Sequence, residues 1–166
     1  CSYDSVNGNG SNPFYRERGT LVHELCADYD FTGELPKGTG VDGFLKAYAD
    51  FKRDYRPKWD YIEYMMGNAD MGFAGTLDRI GYIDGQLAIL DIKTASKPNL
   101  VALTAQLTGY YLLYTTGKTY AVEGGPRLIN PDAYLPKLYG LQLQKKGDYK
   151  LIPIEPDLEL FEACQI

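Results

Sequence analysis

Two aspartates and a lysine, Asp78, Asp91 and Lys93, hold the densest chemistry in this chain of 166 residues. They lie in the stretch AGTLDRIGYIDGQLAILDIKT, residues 74–94. Within it, Asp84-Gly85 is the dipeptide that best tolerates the positive φ angles of a two-residue type I′ turn. Apolar and β-branched residues flank it with partial alternation, so the stretch reads as a β-hairpin in which Ile83 faces Gln86. Counting away from the turn, Asp78 falls directly opposite Asp91. Lys93, two residues further along, projects from the same face as Asp91. One face of one hairpin then presents two carboxylates and an ammonium.

Like charges directly opposed in a ladder are destabilising. At ~5 Å and an effective dielectric of ~20 the two carboxylates repel by about 3 kcal/mol. A divalent cation offsets this well, since a hard ion such as Mg²⁺ is held by one or two carboxylates together with substrate phosphates. Lys93 alone, or a pairing of Asp78 with Arg79 or another nearby base, would also neutralise the pair.

The hairpin needs elements to position it. A helix is expected from about Arg16 to Tyr29, with Leu21, Leu25 and Ala27 inward and His23, the sole histidine, upon it. Residues 30–40, DFTGELPKGTG, read as a loop in which Gly38 to Gly40 allow movement. A second helix over 41–56 carries Phe44, Leu45, Tyr48, Phe51 and Tyr55 at helical spacings and ends at Pro57. Residues 59–66, WDYIEYMM, read as a strand with Met65 and Met66 in the core and Glu63 placed to approach the acidic face or solvent. A third helix is expected from Pro98 to about Thr116, stopped by Gly117, with Leu100, Leu103, Leu107, Tyr111 and Tyr114 as its apolar stripe. Gln106 and Tyr110 are four apart on it and share a face. Residues 118–136 are interrupted by Gly and Pro and take no clear assignment. Residues 137–144 and 149–154 form a last hairpin, and a short helix begins near Pro156. The fold class is a mixed α/β (α+β) domain, a central sheet flanked by helices. Residues 1–15 read as a flexible lead-in and 16–166 as one domain.

Composition bounds the function. Hydrophobic residues are 45% and charged residues 23%, values ordinary for a soluble globular domain. No apolar run approaches a membrane span, and no signal-peptide pattern is visible, so a cytoplasmic setting is expected. Cys1, Cys26 and Cys164 suit neither a disulfide framework nor a zinc or iron–sulfur motif. A net charge of −5 argues against a non-specific nucleic-acid coat but leaves room for a nuclease with a metal-neutralised acidic site. Basic residues cluster at Lys52, Arg53, Arg56 and Lys58, and at Lys145 and Lys146; each group reads as a solvated face. The 15 tyrosines supply core area with a polar handle and can also stack bases.

Four motifs in order along residues 18–110 resemble the RecB-like branch of the PD-(D/E)XK nuclease superfamily, which includes phage-type recombination exonucleases. Arg18-Gly19-Thr20-x-x-His23 looks like its histidine helix, and Gly75-Thr76-x-Asp78 like its G-x-x-D motif. Asp91-Ile92-Lys93 matches the D-x-K core, and Gln106-x-x-x-Tyr110 the Q-x-x-x-Y helix. The resemblance implies a restriction-endonuclease-like core. It implies Mg²⁺ or Mn²⁺ held by His23, Asp78, Asp91 and the backbone carbonyl of Ile92. Lys93 would orient or activate the attacking water, and Gln106 and Tyr110 would position the lysine or a DNA phosphate. Glu63 is the candidate for a second metal. The four cysteines of the iron–sulfur members are missing, so no cluster is expected.

The function implied is a metal-dependent deoxyribonuclease, an exonuclease acting on DNA ends in phage-like recombination or repair. A structure-specific endonuclease on the same fold and a catalytically idle DNA-binding module are the alternatives. DNA is the expected partner; no membrane is expected, and a homo-oligomer or a recombination partner protein is left open.

Overall fold

The structure is a computed structural model and describes residues 13–116, 120–121 and 135–165. Of the expected lead-in over 1–15, residues 1–12 lie outside the described residues, as do the helix stop at Gly117 and most of the unassigned stretch 118–136, while residues 13–15 are helical rather than a flexible lead-in. Helices α1 (Pro13–Thr32) and α2 (Asp42–Tyr55) come first. They are followed by strands β1 (Lys58–Asn68), β2 (Phe73–Ile83) and β3 (Gln86–Lys93), then helix α3 (Leu100–Thr115). Strands β4 (Tyr120–Ala121), β5 (Lys137–Leu143) and β6 (Tyr149–Ile154) and helix α4 (Leu158–Cys164) complete the order.

The strands form one mixed sheet in the order β4-β1-β2-β3-β5-β6. All neighbours are antiparallel except β3 and β5, which run parallel. A parallel pair needs a crossover, and α3 lies within that connection. The expected mixed α/β (α+β) fold, a restriction-endonuclease-like core of sheet and flanking helices, is the one observed.

Each face of the sheet carries its own core. On one face α1 and α2 bury Val22, Cys26, Phe44, Tyr48 and Phe51 against Ala88, Leu90, Ile92 and Leu141. On the other, Leu103, Leu107, Tyr110 and Leu113 of α3 pack on Leu77, Ile80, Leu87 and Ile89. Alternate residues of β3 thus serve opposite cores, as a period of two requires. α4 closes over α3 through Phe161, whose ring meets Phe73 edge-on at 5.4 Å. Among the described residues no helix is long and apolar enough to cross a membrane.

Several local expectations need correction. α1 starts at Pro13 and buries Val22, Cys26 and Ala27, while Leu21 is exposed. Met66 is buried, but Met65, its neighbour on an alternating strand, faces outward. α3 begins at Leu100 because Asn99, in extended conformation, caps it by accepting from the Ala102 N–H. Leu100 itself is exposed. The loop before α2 is tied down: the Asp42 carboxylate accepts from the N–H groups of Gly38 and Thr39 at 2.8 Å each. Of the basic groups, Lys52 is drawn onto Asp30, while Arg53, on Asp50 and Asp54, and Lys146, on Asp148, stay solvated as expected.

Candidate metal centre and active site

The hairpin register is the expected one, with Ile83 facing Gln86 and Arg79 facing Leu90; Asp84 and Gly85 have φ of 50° and 75°. The ladder stops at Arg79/Leu90, one step before Asp78 and Asp91 would pair. There the strands part, and the Asp78 carboxylate enters the gap to accept the Ile92 N–H at 2.6 Å. Leu77 and Ile80 then serve the same core although three residues apart, which strict alternation forbids. The two aspartates are therefore neighbours at a break in the sheet rather than cross-strand partners.

β1 adds a third acid at the same level. Glu63 lies between the pairs Ile62↔Arg79 and Tyr64↔Leu77, across from Asp78. Its φ of 49° is left-handed, a conformation costing a β-carbon residue roughly 1–2 kcal/mol. Three adjacent strands thus present Glu63, Asp78 and Asp91 in a row.

α1 crosses above this row. Arg18 Nη2 donates to the Thr94 carbonyl at 3.2 Å, fixing the helix over the end of β3. Further along α1, His23 Nε2 lies 3.0 Å from the Ile92 carbonyl, and Nδ1 lies 3.3 Å from Asp78 Oδ1 and 3.7 Å from Glu63 Oε1. Both ring nitrogens face acceptors. Burial disfavours the charged ring, but Asp78, Glu63 and Asp91 outweigh it and hold the imidazole pKa well above its ordinary value. Burial also works to raise Asp78; the His23 charge and the bonds from His23 and the Ile92 N–H prevail and keep it low. Asp91 goes the other way. Burial, reinforced by Asp78, outweighs Lys93 and pushes its carboxyl up to about 6.

These donors fit a divalent cation. One atom each from His23, Glu63 and Asp78 lie within 4.8 Å of one another, and nitrogen plus carboxylate oxygen is a donor set for Mg²⁺- or Mn²⁺-like ions. The Nδ1 proton occupies the position this set offers a cation, so proton and metal compete for it. Asp91 lies beside the set: its buried Oδ2 is ion-paired with Lys93 Nζ at 2.9 Å. The Ile92 carbonyl sits on the Nε2 side of His23.

Lys93 is held from both sides. It donates to Gln106 Oε1 at 2.9 Å, and Gln106 Nε2 in turn donates to the Tyr110 hydroxyl at 2.9 Å. The i, i+4 spacing on α3 makes that second bond possible. Gly75 explains itself here, because a β-carbon on it would lie 2.7 Å from Tyr110 Cε1. Gly75→Ala is expected to displace the tyrosine ring, with a stability cost of about 1–3 kcal/mol. Loosening the Tyr110–Gln106–Lys93 chain should lower the cleavage rate on the order of 10–100-fold. Melting and single-turnover rates check this; an unchanged rate would mean the chain does not set the geometry of Lys93.

All the candidates, His23, Asp78, Asp91, Ile92, Lys93, Gln106 and Tyr110, line one cleft of about 1060 Å³ between α1, α3 and the end of the sheet. Glu63, Arg18, Tyr15 and Phe73 line it too. Sequence reasoning missed what stands behind it. Arg79, fully buried, donates to Asp30 at 2.8 Å, to Tyr48 at 3.2 Å, to Glu63 at 3.3 Å and to the Asp78 carbonyl at 2.6 Å. The available signal was a charged residue placed opposite Leu90 by the hairpin register, on the side of β2 that faces a core.

A mixed sheet opened between β2 and β3 thus joins carboxylates, a histidine and a lysine in one cleft, with a His23, Glu63 and Asp78 group that could hold a metal ion. The chain belongs to the PD-(D/E)XK nuclease superfamily, whose sequence model matches residues 39–161. That span takes in Glu63, Asp78, Asp91, Lys93, Gln106 and Tyr110 but not His23 on α1. A search of curated proteins gives no match.

Proposed function

We propose that this chain is a Mg²⁺- or Mn²⁺-dependent DNA exonuclease of the RecB-like branch, acting on DNA ends in phage-like recombination or repair. One observation carries the hydrolytic reading: the His23, Glu63 and Asp78 donors gather within 4.8 Å in the cleft that also holds Lys93 between Asp91 and Gln106. A domain kept only for binding has no need of a buried, ion-paired lysine beside clustered acids. The order of the motifs from Arg18 to Tyr110 supports the RecB-like branch, where phage-type exonucleases fall.

His23, Asp78 and Asp91 would hold the ion, with Glu63 completing the set or holding a second one; the Ile92 carbonyl, now on the Nε2 side of His23, would join them once the ring turns. A bound divalent cation lowers the pKa of its water and draws charge from a phosphate oxygen. The protein's own groups supply the rest. Asp78, tethered by the Ile92 N–H, cannot swing away from His23. Lys93 aims an ammonium into the cleft to orient the attacking water and offset charge developing on the phosphate. Gln106 and Tyr110 limit the rotamers of Lys93. Carboxylate and carbonyl oxygens suit Mg²⁺, and the histidine nitrogen favours Mn²⁺ as an alternative.

The deciding experiment incubates the purified chain with linear and closed-circular DNA in Mg²⁺, Mn²⁺ or EDTA, beside Asp91→Ala. Metal-dependent loss of linear DNA alone is the expected result. Cutting of circular DNA would replace the exonuclease reading with an endonuclease. Cleavage by Asp91→Ala at the wild-type rate would remove the site from the mechanism.

A further inference from the structure

We infer that Arg79 is a positioning residue that presets the metal-facing carboxylates of Glu63 and Asp78. The inference rests on the metal-dependent reading of the site given above.

Arg79 has no exposure and bonds to residues of three different elements. Its Nε donates to Asp30 on α1, and its Nη1 donates to Glu63 on β1 and to the backbone carbonyl of Asp78 on β2. The Asp30 side chain is only 2% exposed and also accepts from Tyr48 and Lys52. Asp30 and His23 are seven residues apart, two turns along one side of α1. One guanidinium therefore pins α1 at Asp30, two turns from His23, and holds the Glu63 carboxylate and the backbone of Asp78, the two acids that His23 faces.

Stability does not account for this arrangement. Buried charge networks are often neutral or worse against apolar packing, and Arg79 Nη2 is buried with no hydrogen-bond partner. Glu63 adds to the case. Its backbone is left-handed and its side chain is about one-third exposed, so its carboxylate would turn to solvent without a tether. Arg79 is that tether. Lysine keeps the charge but lacks the planar fork that spans Asp30, Glu63 and the Asp78 carbonyl at once.

The test compares wild type, Arg79→Lys, Glu63→Gln and the double variant, using Mn²⁺ calorimetry and thermal melting. Paramagnetic broadening of the imidazole signal of His23, the sole histidine, reports binding at this site. Arg79→Lys is expected to stay folded and to bind Mn²⁺ roughly 10–100-fold more weakly, the loss usual for residues that orient ligands. In the double variant the loss should be smaller than the sum of the two single losses, because Arg79 acts in part through Glu63. Wild-type affinity in Arg79→Lys, or fully additive losses, would overturn the role of Arg79 while leaving the metal site standing. If Arg79→Lys does not fold, Glu63→Gln decides: undiminished Mn²⁺ binding there overturns the inference. No Mn²⁺ binding by wild type would overturn the metal-site reading, and this inference with it.

Discussion

Asp91→Asn should abolish DNA cleavage, by 10³-fold or more on the scale of losing a group central to transition-state charge, while making the metal-free protein more stable at pH 8. The two effects have one cause. The Asp91 carboxyl is buried, with Lys93 2.9 Å away as its ion-pair partner, and its pKa is pushed from 3.8 to about 6, first by burial and then by Asp78, against Lys93. A carboxyl raised on folding contributes stability below about pH 4 that is lost as pH rises through about 6. Above pH 6 the folded state therefore carries a charge it disfavours, at a cost of up to about 3 kcal/mol. Asparagine removes that charge at nearly constant shape. In EDTA at pH 8 the variant should melt several degrees higher, at roughly 2–4 °C per kcal/mol for a chain of this size. The advantage should shrink as pH falls through 6 and vanish near 4. Melting from pH 4 to 8 in EDTA measures it. A variant that melts lower at pH 8 would mean that the Lys93 ion pair outweighs the burial of Asp91.

Lys93→Met should lower the cleavage rate by about 10²–10⁴-fold, the range for a positioned group acting on a proton or on developing charge. Metal affinity should be kept or improved, since the lost ammonium lies 2.9 Å from a carboxylate in the site and competes with a cation for it. Lys93→Arg should not restore the rate. The guanidinium is planar and wider, and the slot between Asp91 and Gln106 fits a point charge. Turnover measured beside Mn²⁺ calorimetry separates these outcomes. A parallel loss of metal binding and rate in Lys93→Met would make the lysine a structural support and not a participant in the reaction.

The local pattern was sufficient for much of the fold. The turn at Asp84-Gly85 dictated the register of β2 with β3 because few dipeptides accept two positive φ angles in succession. The apolar spacing of α2 chose its buried face, Phe44, Leu45, Tyr48 and Phe51, since a helix must turn one stripe toward a core. Lys93 and Asp91 share a side by strand periodicity, and Gln106 and Tyr110 by helical spacing. Those are short-range rules, and they hold in any fold.

What the tertiary structure alone decided are the long-range matters, where no period operates. Only the packed sheet parts β2 from β3 beyond Arg79, so that Asp78 bonds the Ile92 N–H rather than facing Asp91 across a ladder. Only the docking of α1 brings His23 against residues far along the chain. Glu63 reaches the site because the β1–β2 register sets it across from Asp78, and its left-handed backbone is invisible in its residue type. Arg79 looked like a partner for Asp78, yet its guanidinium reaches Asp30, Tyr48 and Glu63 and meets Asp78 only at the backbone carbonyl. The sequence determined which residues could do chemistry and which share an element. The fold determined which carboxylates meet, because burial and the opening of a ladder depend on atoms far apart along the chain.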